Sequence, residues 1–212
     1  MRAVDRILFD LDGTISNPLV GITNSFNYAL LAHAFEPLSL KDMARYIGPQ
    51  IDGIFRIVTG LSDDSEILQL VQKYRERYSD VGYSENTLYP GISEALKVIS
   101  DAKVPMAVCT SKRADFADRI LEMFGLRYHF EFVDGGDVGI HKWQQIAALN
   151  KARMVSSSTV MVGDRAVDLV AAHRNQLKAA GVLWGFGSAE ELNAENPKYC
   201  FADPTNLVQL LD

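Results

Sequence analysis

The sequence predicts an α/β protein that is built on a parallel sheet and interrupted once by an all-helical segment. Short apolar runs alternate with helical patterns along most of the 212 residues, as is typical of βαβ units with right-handed crossovers. Residues 16–87 break this alternation, because they carry helical patterns and no strand-like run. Two acidic residues directly follow the first apolar run, at the point where a buried strand has to end.

The first strand is predicted from Ile7, Leu8 and Phe9, an apolar run without alternation that suits a central strand buried on both faces. The connection between two strands of an α/β sheet is normally much shorter than residues 16–87, which follow this strand. We therefore expect a small helical domain at residues 16–87, inserted into a core formed by residues 1–15 and 88–212. Its helical patterns lie at residues 22–34, 41–46, 51–58 and 66–78.

Strands and helices alternate again after the insertion. Pro90 and Gly91 open the first of these helices, and glycines such as Gly125 mark element ends. Further buried strands are predicted at residues 106–110, 130–133, 160–162, 179–183 and 199–201, and helices at residues 92–100, 116–124, 143–152 and 166–174.

Composition excludes several classes of protein. Apolar residues make up 48% and charged residues 23%, which is ordinary for a soluble globular protein. A net charge of −6 argues against binding to a nucleic-acid polymer. No apolar run approaches transmembrane length, and the sequence opens without a signal-peptide core, so we expect a cytoplasmic protein without a membrane partner. Two cysteines, Cys109 and Cys200, make neither a disulfide framework nor a zinc motif.

The acids after the first strand are Asp10 and Asp12, followed by Gly13. Open parallel sheets bind ligands at the carboxyl ends of their strands. Two carboxylates there repel each other unless a cation or a proton intervenes, so the pair indicates a metal site or an acid with a raised pKa. The alternative interpretation is an acidic turn after a core strand, with Gly13 as the turn residue.

Hydroxyl groups follow the strand predicted at residues 106–110. Thr110 and Ser111 place donors where a phosphate oxygen can be held. Taken alone, Ser111 is better explained as the cap of the next helix.

Acids and a lysine follow the later strands. Asp164 ends the strand at residues 160–162, and Asp168 comes four residues later, so that both can face the same way on a first helical turn. An acid near a helix N-terminus is equally favourable without any function. Lys142 starts a helix, where its charge opposes the helix dipole. Lys142 therefore needs another reason to be there, and balancing Asp10, Asp12 and Asp164 while holding a phosphoryl oxygen would supply one.

In this combination the sequence resembles the haloacid dehalogenase-like hydrolase superfamily over nearly its whole length. The family pattern is DxDGT, a Ser or Thr after a strand, a Lys at a helix start, and GDxxxD. This chain has DLDGT from Asp10, then Thr110, Lys142, and GDRAVD from Gly163. The resemblance implies a Rossmann-like parallel-sheet core with an inserted all-α cap domain.

Two further stretches are similar to the phosphoglycolate-phosphatase-like branch of that superfamily, which carries a helical cap of the first type. They are Tyr46-Ile47-Gly48-Pro49 and Trp184-Gly185-Phe186-Gly187. This branch implies a phosphatase that acts on small phosphomonoesters, with phosphoglycolate-like acids as the leading candidates.

The resemblance also implies roles for the motif residues. Asp10 would be the nucleophile and become an aspartyl-phosphate, while Asp12 would protonate the leaving oxygen and then deprotonate water. Mg²⁺ would be held by Asp10, the Asp12 backbone carbonyl and Asp164, with Asp168 orienting a metal-bound water or Lys142.

The same resemblance implies the residues that hold the substrate. Thr110, Ser111 and Lys142 would hold the transferring phosphoryl group. For a carboxylate-bearing substrate, Arg45 is the cation we expect from the cap.

The motifs bear on several alternative activities. Asp12 argues against a dehalogenase, which lacks the second acid, and neither Lys41 nor Lys73 stands out as the Schiff-base lysine of the phosphonate-cleaving relatives. A nucleoside monophosphate phosphatase and a sugar phosphomutase stay open, because they would share this core. Outside the enzymes, a phospho-acceptor signalling domain or a binding protein on the same scaffold is the remaining alternative.

Overall fold

The main sheet is parallel and has a central first strand, as the sequence predicts. A computed structural model describes residues 4–212. Six of its strands form one parallel sheet in the order β5-β4-β1-β6-β7-β8, and β2 pairs antiparallel with β3. The strands are β1 (Ile7–Phe9), β2 (Ser16–Asn17), β3 (Thr87–Leu88), β4 (Met106–Thr110), β5 (Val133–Gly135), β6 (Val160–Gly163), β7 (Lys178–Val182) and β8 (Tyr199–Phe201).

Helices cover the sheet and fill the chain between β2 and β3. Short 3-10 turns occur at Gly82–Glu85, Arg127–His129 and Pro204–Leu211. The α-helices are α1 (Leu19–Ala32), α2 (Leu40–Ala44), α3 (Ile51–Thr59), α4 (Asp64–Asp80), α5 (Ile92–Asp101), α6 (Ala114–Met123), α7 (Lys142–Lys151), α8 (Ala166–Arg174) and α9 (Ala189–Ala194). We call the segment from α1 to α4 the helical insertion.

Strand β1 is buried on both faces. Ile7 and Phe9 pack into one core cluster, and Leu8 packs into the cluster on the other side of the sheet. All three side chains have no exposed surface, since β1 lies between β4 and β6. The apolar run without alternation is thereby explained, and the end of β1 is fixed at the middle of the sheet edge.

The helical insertion has its own apolar cluster. Phe26 stacks on Phe55 with ring centroids 4.1 Å apart, and Tyr74 stacks on Tyr78 at 5.2 Å. Phe116, which belongs to α6 of the sheet-bearing part, joins this cluster and meets the Tyr78 ring edge-on. The insertion is therefore packed against the end of the sheet through a shared aromatic contact.

The structure differs from the sequence prediction at the pair β2–β3 and at the start of β5, and it adds the unpredicted helix α9. The short pair β2–β3 was not predicted, because a two-residue strand shows no periodicity. Strand β5 begins at Val133, whereas the pattern predicts a strand over residues 130–133. Phe130 instead lies directly after a 3-10 turn. Its side chain is buried against Phe9, with ring centroids 6.2 Å apart, which explains why an apolar residue occurs there.

Within residues 4–212, none of the helices combines the length and the apolar character that crossing a bilayer requires.

Candidate active site

The carboxyl ends of the central strands bring the predicted polar residues together. Asp10 follows β1, Thr110 ends β4, and Asp164 follows β6. Lys142 is the first residue of α7, and Asp168 lies in the first turn of α8. All five are at most 2% exposed, so their charges and hydrogen bonds must be satisfied inside the protein.

Lys142 lies between two carboxylates. Its Nζ is 2.9 Å from Oδ2 of Asp10, and it also donates to Oδ1 of Asp168. Burial opposes the charged form of Lys142, but the Asp10 and Asp168 carboxylates outweigh burial and raise the pKa of this lysine. A cation at a helix N-terminus interacts unfavourably with the helix dipole, and the two acidic partners of Lys142 therefore explain why it stands there.

Asp164 has hydrogen-bond donors but no cation partner among the described residues. Its Oδ2 accepts from the Phe186 backbone N–H at 2.8 Å, and its Oδ1 accepts from the Thr14 hydroxyl at 3.4 Å. Burial, reinforced by the Asp168 and Asp10 charges, raises the pKa of Asp164 well above its ordinary value. A carboxylate in this state indicates that a positive charge is needed close by.

Glycines allow the chain to wrap closely around Asp164. Gly13 has a φ of +86°, and a Cβ on it would lie 2.1 Å from Oδ2 of Asp164. A Cβ on Gly185 would lie 2.4 Å from Cβ of Asp164. Only glycine fits at these two positions, which explains why DLDGT and the loop at residues 184–187 both carry one.

The acids form a cluster that can hold a metal ion. One carboxylate oxygen from each of Asp10, Asp164 and Asp168 lies within 4.8 Å of the others. The Lys142 ammonium balances only one of these three charges. The remaining negative charge, together with an all-oxygen donor set, fits a hard divalent cation. This buried cluster therefore indicates a metal site, and the residues present fit such an ion.

Asp12 has a partner that the sequence analysis missed. Its Oδ2 is 2.8 Å from Nζ of Lys112, and Lys112 also donates to the Tyr78 hydroxyl at 2.7 Å. Burial raises the pKa of Asp12, Lys112 works against this rise, and the Asp10 charge adds to it. The other oxygen, Oδ1, is buried and has no hydrogen-bond partner among the described residues. Because Lys112 follows Thr110 by only two residues, its position near the end of β4 could have been predicted. Nothing in the sequence indicates that Tyr78 of α4 lies beside it.

A cleft lies between the helical insertion and the end of the sheet. It encloses about 710 Å³ of empty space, part of it open to solvent, and its floor includes Asp10, Asp12 and Thr110. Ser111 and Lys112 line it next to these residues. A small ligand in this cleft would therefore lie beside the side chains of Asp10 and Asp12.

The structure brings together most of the predicted site residues and leaves one apart. Arg45 does not line the cleft. Its side chain is 61% exposed and pairs with Asp42 at 2.6 Å. The residues that do meet at the strand ends or line the cleft are Asp10, Asp12, Thr110, Ser111, Lys142, Asp164 and Asp168.

Comparison with known proteins identifies the family. The description "haloacid dehalogenase-like hydrolase" applies to the family profile that matches residues 7–182. The chain belongs to the haloacid dehalogenase-like hydrolases. This hydrolase is 35% identical over 211 residues to a 5'-nucleotidase from Pseudomonas aeruginosa. The matched region covers 98% of this chain and 95% of that relative.

Two further proteins to which this hydrolase is similar are described as phosphatases. A phosphoglycolate phosphatase from Vibrio parahaemolyticus is 28% identical over 219 residues, covering 98% of this chain and 96% of the relative. A solved structure described as a predicted phosphatase from Clostridium acetobutylicum superposes with a TM-score of 0.91 at 30% identity, covering 97% of each chain. The protein is therefore a phosphoric monoester hydrolase of this family, which confirms the enzyme class that the motifs predict.

Replacing Lys142 by Met will leave the surrounding aspartates buried without their ammonium partner. We expect the free energy of unfolding to fall by about 3–5 kcal/mol, as is typical when one partner of a buried ion pair is removed. Urea unfolding in the presence of a chelator measures this loss. Lys97→Met is the matched control, because Lys97 pairs with Asp101 at 2.6 Å with both side chains more than half exposed. Its loss of stability should be much smaller, because an exposed ion pair contributes little, and equal losses in the two variants would contradict the burial argument.

Proposed function

We propose that this phosphatase uses Mg²⁺ to hydrolyse small phosphomonoesters through an aspartyl-phosphate on Asp10. The observation that carries the proposal is the placement of Asp10. Its Oδ1 accepts from the Leu11 backbone N–H at 2.8 Å and its Oδ2 contacts Lys142, so the carboxylate is fixed in orientation where it lines the cleft. Pre-orientation of a nucleophile removes part of the entropic barrier to reaction.

In the first step, an Asp10 carboxylate oxygen attacks phosphorus in line with the ester bond. The bond between phosphorus and the leaving oxygen breaks, and that oxygen takes a proton from Asp12. The raised pKa of Asp12 supports the acid role, since burial favours its protonated form. Its unpartnered Oδ1 supports the same role, because it is open to a hydrogen bond with the leaving group.

In the second step, water attacks the phosphorus of the aspartyl-phosphate. Asp12 takes a proton from that water, the bond from phosphorus to the Asp10 oxygen breaks, and phosphate leaves with the Asp10 carboxylate restored. Thr110, Ser111 and Lys142 hold the phosphoryl oxygens during both steps, which keeps phosphorus in line. We also propose that residues 16–87 act as a cap over residues 1–15 and 88–212, so that the cleft excludes bulk water.

The metal proposal assigns ligands by residue. Asp10, the Asp12 backbone carbonyl and Asp164 would hold Mg²⁺. Asp168 would support these ligands indirectly, because it forms an ion pair with Lys142 and accepts a hydrogen bond from the Arg165 backbone N–H at 3.1 Å. Bound Mg²⁺ supplies neutralisation of negative charge on the phosphoryl group.

Two substrate classes follow from the resemblances. Phosphoglycolate is the candidate predicted from the sequence, supported by the phosphoglycolate phosphatase relative. A nucleoside monophosphate is the second candidate, supported by the 35% identity to a 5'-nucleotidase. Phosphate release across phosphoacids, sugar phosphates, nucleotides and pyrophosphate decides between them.

Replacing Asp10 by Asn will remove the nucleophile and keep the shape of the side chain. We expect kcat to fall by at least about three orders of magnitude, roughly 4 kcal/mol of barrier. Phosphate release measures the rate, and intact-protein mass spectrometry of acid-quenched reactions should detect phosphorylated wild-type protein and no phosphorylated variant. Asp101→Asn, at the exposed end of α5, is a control that should keep full activity. A folded Asp10→Asn variant with near-normal turnover would falsify the proposed mechanism.

Chelation should abolish turnover, because three buried acids against one lysine otherwise repel an anionic substrate. Adding Mg²⁺ should restore activity. Ca²⁺ should inhibit, since its looser and higher coordination disturbs in-line geometry. Phosphate release before and after chelation measures this, and circular dichroism checks that the fold is kept. Full activity after rigorous chelation would rule out the metal proposal.

Replacing Tyr78 by Phe will keep the aromatic packing of α4 and remove the hydroxyl that holds Lys112 beside Asp12. Because Asp12 protonates the leaving oxygen, we expect kcat to fall about tenfold for an alkyl phosphate, roughly 1.4 kcal/mol of barrier. For p-nitrophenyl phosphate, whose leaving group departs without a proton, the change should stay within about twofold.

Tyr74→Phe provides the control for this comparison, because it removes a hydroxyl from the ring stacked on Tyr78. Its effect should not depend on the leaving group. Equal losses on both esters in Tyr78→Phe would show that the hydroxyl has a structural role only.

A further inference from the structure

One buried carboxylate oxygen on the insertion side of the cleft has no hydrogen-bond partner within residues 4–212. Asp52 lies in the first turn of α3 and lines the cleft. Its Oδ1 is buried and makes no hydrogen bond to any described residue. An acid in a first helical turn interacts favourably with the helix dipole, which accounts for the residue type. It does not account for an oxygen buried without a donor, because such an oxygen loses its hydration and gains nothing in return.

The cations of the cleft already have carboxylate partners. Of the described lining residues, three are cationic, and each pairs with an aspartate at 2.6–3.0 Å. These pairs are Arg75–Asp137, Lys112–Asp12 and Arg113–Asp115. A second negative charge on the leaving group would have to compete for one of these partners and would also face Asp52. Like charges brought together in a desolvated site are strongly unfavourable.

The walls of the cleft are largely apolar. The insertion contributes Ile22, Ile47, Ile51 and Ile54, and the sheet side contributes Phe116 and Val138. These apolar side chains line both walls, as is typical of sites that bind an organic ligand. A two-carbon acid would leave most of these walls uncovered, whereas a ring-bearing leaving group would cover them.

We propose that Asp52 accepts a hydrogen bond from the leaving group of the substrate. The cleft thereby selects phosphomonoesters whose leaving group has an apolar body, a hydroxyl or amino donor and no second negative charge, as in a nucleoside monophosphate. This inference rests on the phosphatase function proposed above and names its substrate class. Asp52 is a specificity-determining residue, since it contacts the leaving group and takes no part in the transfer of the phosphoryl group.

The test compares kcat/KM for adenosine 5'-monophosphate, its 2',3'-dideoxy analogue, phosphoglycolate and p-nitrophenyl phosphate. In the wild-type protein, we expect the nucleotide to exceed phosphoglycolate by at least about tenfold. Asp52→Ala should lower the value for the nucleotide by about tenfold or more, which is the typical effect of losing a hydrogen bond to a charged acceptor. p-Nitrophenyl phosphate, whose leaving group has no donor, should change by less than about twofold, and phosphoglycolate should improve or stay level.

Two further variants separate this role from a structural one. Asp52→Asn keeps an acceptor oxygen of the same shape and should recover part of the nucleotide activity. Asp64→Ala removes an exposed acid from the first turn of α4 and should leave every substrate ratio unchanged. The dideoxy analogue shows which group of the leaving group donates the hydrogen bond. If Asp52→Ala does not lower kcat/KM for this analogue, the ribose hydroxyls are the donors. If the loss persists, the donor is on the base.

The outcomes distinguish the two proposals. If Asp52→Ala lowers kcat/KM equally for all substrates, or if the wild-type protein prefers phosphoglycolate, the role of Asp52 is overturned while the phosphatase function stands. If the metal-loaded wild-type protein hydrolyses none of the esters, p-nitrophenyl phosphate included, the proposed function fails and the inference fails with it.

Discussion

Buried negative charge at the carboxyl ends of β1 and β6 is the constraint on which the rest of the site depends. One carboxylate oxygen from each of Asp10, Asp164 and Asp168 lies within 4.8 Å of the others, and the Lys142 ammonium contacts Asp10 and Asp168. Such a cluster is stable only if cations and hydrogen-bond donors surround it. Lys142 at the start of α7, the Phe186 N–H and the close approach of Gly13 all serve this need.

A second arrangement connects that cluster to the helical insertion. Lys112 contacts Asp12 on one side and the Tyr78 hydroxyl of α4 on the other. Arg75, also on α4, pairs with Asp137 across the cleft at 2.6 Å. The insertion is therefore held to the sheet end by charged contacts beside the reactive groups, and movement of the insertion would alter the surroundings of Asp12 directly.

The sequence was sufficient for those parts of the site that the sheet itself positions. Parallel strands end at one edge, so residues directly after β1, β4 and β6 converge whatever the details of packing. For that reason the meeting of Asp10, Thr110 and Asp164 was predictable, whereas the family followed from the resemblance of the motifs that contain these residues. Lys142 was predictable as well, because a lysine at a helix start conflicts with the dipole and needs acidic partners.

Residues on the insertion side were not predictable in the same way. Which helical face meets the sheet depends on packing between elements far apart in the chain, and neither periodicity nor composition records it. Arg45 was expected to meet the substrate, yet it lies outside the cleft and pairs with Asp42. Asp52, Tyr78 and the partner role of Lys112 emerged only from the three-dimensional arrangement.

The aromatic contact of Phe116 has a consequence for how such proteins diversify. Phe116 lies 36 residues after the end of α4 at Asp80, yet it is buried in the insertion's own apolar cluster. A graft of the helical insertion alone into another member of the family would leave this cluster with a foreign side chain at one wall. Exchange of insertions between relatives thus requires co-inheritance of the start of α6, which makes this helix part of the smallest transferable unit.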